Sequence, residues 1–162
     1  MDIGIIVYSR TGHTLSVAEK LKGRLSADGH AVALEQLEIA GPDNLSATTA
    51  ALKTRPAIDR YDALVLGSPV NGGRMSAAMN SYLEQVPSLQ GKKVVLLLTH
   101  FFFPAWGANQ TIAQMKGVCE SRGATVCGSG SVRWTSLRRG RQISRVVDRL
   151  SDRIASTETQ PC

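Results

Sequence analysis

The sequence predicts an α/β domain: a doubly wound parallel sheet of five strands, with helices on both faces in three layers. Three observations predict it. Short, continuous apolar runs recur along the chain, as strands covered on both faces require. Stripes of apolar residues at helical spacing alternate with those runs. The length of 162 residues, 43% hydrophobic and 20% charged, suits one globular domain and excludes a disordered or fibrous chain. Residues 1–155 read as that domain and residues 156–162 as a frayed tail.

The first run, Ile3-Gly4-Ile5-Ile6-Val7, begins almost at the N-terminus. Leu15, Ala18, Leu21 and Leu25 then share one face of a helix that Asp28-Gly29 stops. Ala31–Leu37 is a mixed strand carrying Glu35 and Gln36, as suits a sheet edge. In residues 40–60, Gly41-Pro42 breaks the chain and a short helix is expected over 44–52, because long structureless loops are uncommon. Ala63–Leu66 is the third strand, and Met75, Met79, Tyr82, Leu83 and Val86 form the next helical stripe, ended by Pro87. Val94–Leu98 is the fourth strand, followed by a stripe of Ile112, Met115 and Cys119 that Gly123 closes. Ala124–Cys127 makes the fifth, before a last helix bearing Ile143, Val146, Val147, Leu150 and Ile154. Right-handed crossovers bring the carboxyl ends of all the strands to one edge, where doubly wound sheets bind ligands.

Three loops converge on that edge. Ser9-Arg10-Thr11-Gly12-His13-Thr14 offers three hydroxyls and a glycine at a helix N-terminus, which is either an anion cradle or a plain capped turn. It has neither the Gly-Lys-Ser/Thr of a Walker loop nor a G-x-G-x-x-G fingerprint, so a monophosphate suits it better than a triphosphate. Gly67-Ser68-Pro69-Val70-Asn71-Gly72-Gly73-Arg74 carries a turn signal that lets backbone approach a ligand. His100-Phe101-Phe102-Phe103-Pro104-Ala105-Trp106-Gly107 holds four of the eight aromatic residues within six positions. Some of those rings can turn inward, but a surface loop so rich in them is otherwise costly unless something flat covers it. A phosphate cradle and an aromatic wall on one edge describe a site for a planar ring carrying a phosphate.

Charge is the unusual bulk property, at +6 with seven arginines against three acids in the last thirty residues. Arg138, Arg141, Arg145 and Arg149 recur at helical spacing, either as a solvated face or as a surface for an acidic partner. No interleaved aromatics or recognition motif supports nucleic acid. The three cysteines, an odd number without a C-x-x-C pair, argue against a disulfide framework or a zinc site. No apolar run is long enough for a membrane span, and the opening Met1-Asp2-Ile3-Gly4 lacks a basic leader, so the cytoplasm is the expected location; a monomer is also expected.

These residues resemble the flavodoxin family over nearly the whole chain. Ser9-x-Thr11-Gly12-x-Thr14 is similar to its FMN phosphate loop, and Tyr61–Val70 to its third strand and the flavin loop beyond. Leu89–Val94 and Gly123–Val126 resemble the lead into its fourth and fifth strands, with no long insertion in the fifth, as in the short-chain form. The resemblance implies strand order 2-1-3-4-5 and non-covalent FMN. Carried across, it has Ser9, Thr11 and Thr14 holding the phosphate by hydroxyls and Arg10, Gly12 and His13 by backbone N–H. Ser68, Pro69, Val70, Asn71, Gly72 and Gly73 would lie along one side of the flavin, and Thr99, His100, Phe101, Phe103, Trp106 and Gly107 along the other. His13 stands where the family often has Asn, and Val70 where many members place an aromatic, which shifts the stacking role to Phe101, Phe103 or Trp106. Flavodoxins are typically acidic, so this basic chain is not expected to dock a redox partner through an acidic rim, and a less extreme low potential is expected.

The leading function is an FMN-dependent electron carrier, since no acid–base or nucleophile–base pair stands beside the loops. A small NAD(P)H-dependent flavin reductase acting on quinone-like acceptors is the alternative, with His100 and Arg74 as candidate proton donor and anion clamp. A flavin-free module binding through its basic C-terminal helix is the third.

Overall fold

The computed structural model describes residues 1–101 and 106–156, with Trp106 described by its backbone alone. β1 (Asp2–Val7) leads into α1 (His13–Ala27), β2 (Ala31–Gln36) and β3 (Ala63–Asn71). A two-residue β4 (Arg74–Met75) folds back on β3 before α2 (Ala77–Gln85). β5 (Lys93–His100), α3 (Trp106–Ser121), β6 (Thr125–Arg133) and α4 (Arg139–Ser156) complete the chain. The sheet runs β2-β1-β3-β5-β6 with every pair parallel, β4 alone lying off that path. Counting only the long strands, this is the expected order 2-1-3-4-5.

The continuous apolar runs resolve into two faces with the period of two that a pleat imposes. Ile3, Ile5, Val7, Ala63 and Val65 pack against Val17, Ala18, Leu21 and Leu25 of α1 and the stripe of α4. Ile6, Leu64, Leu66, Leu96 and Leu98 face Met79 and Leu83 of α2 and Met115 and Cys119 of α3. Both clusters are buried, so the sheet is enclosed in three layers. Cys119 is a free thiol, and burial pushes its pKa up to about 12, which suits an inert core residue.

Three local expectations are corrected. Val17 rather than Leu15 lies in the buried stripe of α1, with Leu15 half-buried beside it. Residues 44–52 form no helix. There the backbone pairs in a bridge between Ile39 and Leu52, and an Asx turn satisfies Ser46 N–H through Asn44. The side chains of α2 and its neighbours meet much of the rest: Ser81 accepts from Ala50 N–H, while Asn80 and Tyr82 donate to the carbonyls of Thr48 and Pro56. These bonds meet the backbone demand that helix formation would otherwise answer.

β6 runs on to Arg133, well past Cys127, through a Gly-Ser-Gly-Ser segment of poor strand propensity. The glycines are there for α4. A Cβ on Gly130 would lie 2.7 Å from Val146, and one on Gly128 would lie 3.0 Å from Arg153. α4 thus settles onto β6 where a side chain would have lifted it off. At its C-terminal half α4 is tied to α1, because Asp28 accepts from Ser151 and Arg24 while Arg24 also pairs with Asp148. Those bonds hold the carboxyl of Asp28 below the usual carboxylate range, the Ser151 hydroxyl contributing most.

Candidate functional site

The carboxyl edge of the sheet opens into a cavity of about 400 Å³, within the range of small-molecule sites. It lies where the chain reverses direction across β1, between β2 on one side and β3 on the other.

One end is the turn from β1 into α1. Gly12 is the N-cap residue of α1, at φ 86°, a left-handed conformation that glycine adopts at little steric cost. With no side chain there to cap the helix, Ser9 reaches forward and its Oγ accepts from Leu15 N–H at 3.2 Å. The N–H groups of the first turn and the helix dipole are then directed at the cavity. Beneath them, Thr14 and Thr99 are buried and share one hydrogen bond of 2.7 Å between their hydroxyls. Two hydroxyls hold two protons and that bond uses one, so a donor is left over. Gly67 keeps the floor tight, since a Cβ there would meet Thr14 at 3.2 Å.

One side of the cavity is a β-hairpin. Asn71 pairs with Arg74 around Gly72 and Gly73, whose φ angles of 56° and 77° give the doubly left-handed two-residue turn that matches strand twist. The hairpin is held from α3, where Gln114 Oε1 accepts from Met75 N–H at 3.0 Å. Pro69, Val70, Asn71, Gly72 and Gly73 line this side, and Gly107 closes against it.

The opposite side is aromatic. His100 and Phe101 line it from the end of β5, and Trp134 lines it from just beyond β6. Trp134 continues the ladder, its N–H donating to the carbonyl of His100 at 2.7 Å. The ring of His13 stacks on the indole at 4.0 Å and meets Phe101 tilted at 5.1 Å. Arg139 covers the Trp134 ring, its guanidinium 4.5 Å from the centroid, and also donates to the Trp134 carbonyl. Burial and that nearby cation hold the imidazole of His13 below its ordinary pKa.

Most residues singled out in the sequence meet here: Ser9, Arg10, Thr11, His13, Thr14, Pro69, Val70, Asn71, Gly72, Gly73, Thr99, His100, Phe101 and Gly107 all line the cavity. Gly12 shapes its end without lining it. Ser68 does not face it either, being fully buried, with its Oγ accepting from Ser76 N–H and bonded to the Ser76 hydroxyl that caps α2. Phe103 and the side chain of Trp106 lie outside the described residues. Sequence reasoning missed Trp134 and Leu45. The signal for Trp134 is its place between the fifth strand and the last helix, which counts once that strand runs on to Arg133 rather than ending at Cys127. Leu45 comes in on the loop after β2, which is anchored by the Tyr8 hydroxyl donating to Asp43 at 2.7 Å. Burial and that carboxylate push the Tyr8 hydroxyl well above its ordinary pKa, so it remains a donor.

The arrangement offers an anion-receptive turn at one end, and between its walls a slot for a flat, mainly apolar body. A family model described as NADPH-dependent FMN reductase matches residues 1–153. A protein of Megasphaera elsdenii named flavodoxin is 26% identical over 133 residues, covering 80% of this chain and 85% of that one. A Rhizobium meliloti protein named NAD(P)H dehydrogenase (quinone) 3 is 23% identical over 134 residues, 78% of this chain and 56% of that one. The chain spans about half the length of the quinone dehydrogenases it matches. Among solved structures, flavodoxin 1 of Bacillus cereus superposes with a TM-score of 0.71 over 96% of this chain and 98% of that one, at 15% identity, and so shares the fold.

Proposed function

The chain belongs to the NADPH-dependent FMN reductase family, and from that premise we propose that it is an FMN-binding electron-transfer protein. The observation that carries the reading is the pairing, within one cavity, of a hydroxyl-rich helix N-terminus with aromatic and backbone walls. The residues fit the cofactor in charge. Its phosphate is an anion, and the turn at 9–14 presents helix-end N–H groups and the spare hydroxyl proton of the Thr14–Thr99 pair.

When bound, FMN supplies one- and two-electron chemistry, and the protein supplies its position and surroundings. Ser9, Thr11 and Thr14 would hold the phosphate by their hydroxyls, with the N–H groups of Arg10, Gly12 and His13 beside them. The glycine pair of the hairpin lets backbone rather than side chains face the ring. Phe101 and Trp134 would form the opposite wall. Coverage also favours a carrier, since the chain spans 85% of the flavodoxin relative and about half of the quinone dehydrogenases.

The family description supports a second reading, in which NADPH reduces the protein directly and a quinone-like acceptor reoxidises it. One experiment tests both. The purified protein should be yellow and release FMN on denaturation. Under anaerobic conditions a carrier keeps its colour with NADPH alone and bleaches with a chemical or protein reductant. Rapid bleaching by NADPH, followed by multiple turnovers with a quinone, selects the reductase. A colourless protein that takes up no FMN overturns both.

A further inference from the structure

Among the described residues, three large hydrophobic side chains are markedly exposed: Leu45 at 44%, Phe101 at 44% and Leu137 at 104%. Single exposed leucines are ordinary. These three, however, all stand on connections that leave the carboxyl edge of the sheet. Leu45 follows β2, Phe101 follows β5, and Leu137 lies between β6 and α4. Two of them line the cavity mouth.

Cations surround them. Arg10, Arg74, Arg138 and Arg139 are exposed: Arg10 lies on the connection after β1, Arg74 begins β4, Arg138 lies between β6 and α4, and Arg139 begins α4. Arg10 borders the cavity, Arg74 borders the small hollow that Leu45 shares with it, and Arg139 lies over Trp134. Asp43, on the loop after β2, accepts from the Tyr8 hydroxyl. Exposed Arg141, Arg145 and Arg149 extend the positive field along α4. An apolar centre within a charged rim is the anatomy of a protein–protein interface. A nucleic acid strand would instead need stacking rings along a basic groove, whereas here the rings gather at one opening.

We propose that this edge is a docking surface for an acidic electron-exchange protein, whose carboxylates meet Arg10, Arg74, Arg138 and Arg139 while its apolar patch covers Leu45, Phe101 and Leu137. The proposal rests on the electron-transfer reading, because it brings the partner to the mouth of the cofactor cavity. Long-range attraction from the rim orients the encounter and raises its rate, and salt weakens it.

The test measures equilibrium binding to the soluble domain of cytochrome b5, an acidic haem protein, with basic cytochrome c as the mirror control. Cytochrome b5 should bind at low ionic strength, with affinity falling about tenfold or more between roughly 20 and 200 mM salt. Cytochrome c should not bind. The double variant Arg74→Glu/Arg138→Glu should lose cytochrome b5 and gain cytochrome c, while retaining FMN and the far-UV spectrum of the parent. Leu137→Ser should weaken the complex without altering its salt slope. The proposal is overturned if cytochrome b5 fails to bind at low salt, if the double variant binds it like the parent, or if a single-stranded oligonucleotide of about twenty nucleotides binds more tightly than cytochrome b5. FMN retention is read separately by absorbance. A protein that docks cytochrome b5 without holding flavin therefore sinks the electron-transfer reading, and one that holds flavin without docking sinks only this proposal.

Discussion

The imidazole of His13 lies face to face on the indole of Trp134, with centroids 4.0 Å apart and planes within 14°. The contact joins the first residue of α1 to the segment between β6 and α4, and the guanidinium of Arg139 also lies over the indole. It makes the turn into α1 and the aromatic wall a single packed unit.

Burial and Arg139 lower the pKa of His13 from its ordinary 6.5, so the unfolded chain takes up this proton before the folded one does. Above 6.5 the group adds no pH dependence to folding. As pH falls from 6.5 through the lower folded value, the unfolded state binds more protons and stability is lost. Thermal melts of the apoprotein across this window should therefore fall more steeply for the parent than for His13→Asn. Identical slopes would remove His13 from the account.

Trp134→Ala takes away the stack and leaves Arg139 without its ring. The imidazole becomes more hydrated, and its titration, followed by NMR, should move up toward the ordinary histidine value. FMN affinity should fall about tenfold, the equivalent of roughly 1.4 kcal/mol for one lost aromatic contact. An unmoved His13 titration would mean that the stack does not govern its environment.

Thr14→Val removes one hydroxyl of the buried pair and leaves that of Thr99 without its 2.7 Å partner. FMN binding should weaken by about tenfold or more, since hydrogen bonds to charged groups contribute about 1.5–3 kcal/mol. Riboflavin, which has no phosphate, should lose much less. Equal losses for the two ligands would place the phosphate elsewhere.

Gly4→Ala directs a methyl group into the ring of Tyr61, whose carbons would stand 2.5–2.8 Å from it. Tyr61 cannot easily retreat, being 4% exposed with its hydroxyl donating to Glu35 and accepting from Arg60. Denaturant melts should show a loss of about 1–3 kcal/mol, the usual cost of overpacking a core. Unchanged stability would show that the ring has room to move.

Much of this was legible in the residues alone. Ile3–Val7, Ala63–Leu66 and Val94–Leu98 announced buried parallel strands because their apolar character is continuous, and Asn71-Gly72-Gly73 announced a turn because few other residues accept two successive left-handed conformations. The hydroxyl-rich turn into α1 was legible from three hydroxyls and a glycine before a helix. Ser68 was misleading, because a serine that caps a neighbouring hydroxyl network and one that faces a ligand look the same in sequence.

By itself the sequence determined the alternation of strands and helices, the direction of their ends and the hydroxyl-rich turn into α1, since each depends on short-range patterning within a few residues. Only the tertiary structure decided that Trp134 would wall the cavity and that Leu45 would border it. The Gly-Ser-Gly-Ser segment becomes strand because Val146 and Arg153 of α4 close over Gly128 and Gly130. The segment at 44–52 forgoes its helix because side chains of α2 take up its backbone groups. Both outcomes turn on partners distant in the chain, and the free energy of burying and hydrogen-bonding against them outweighs local propensity.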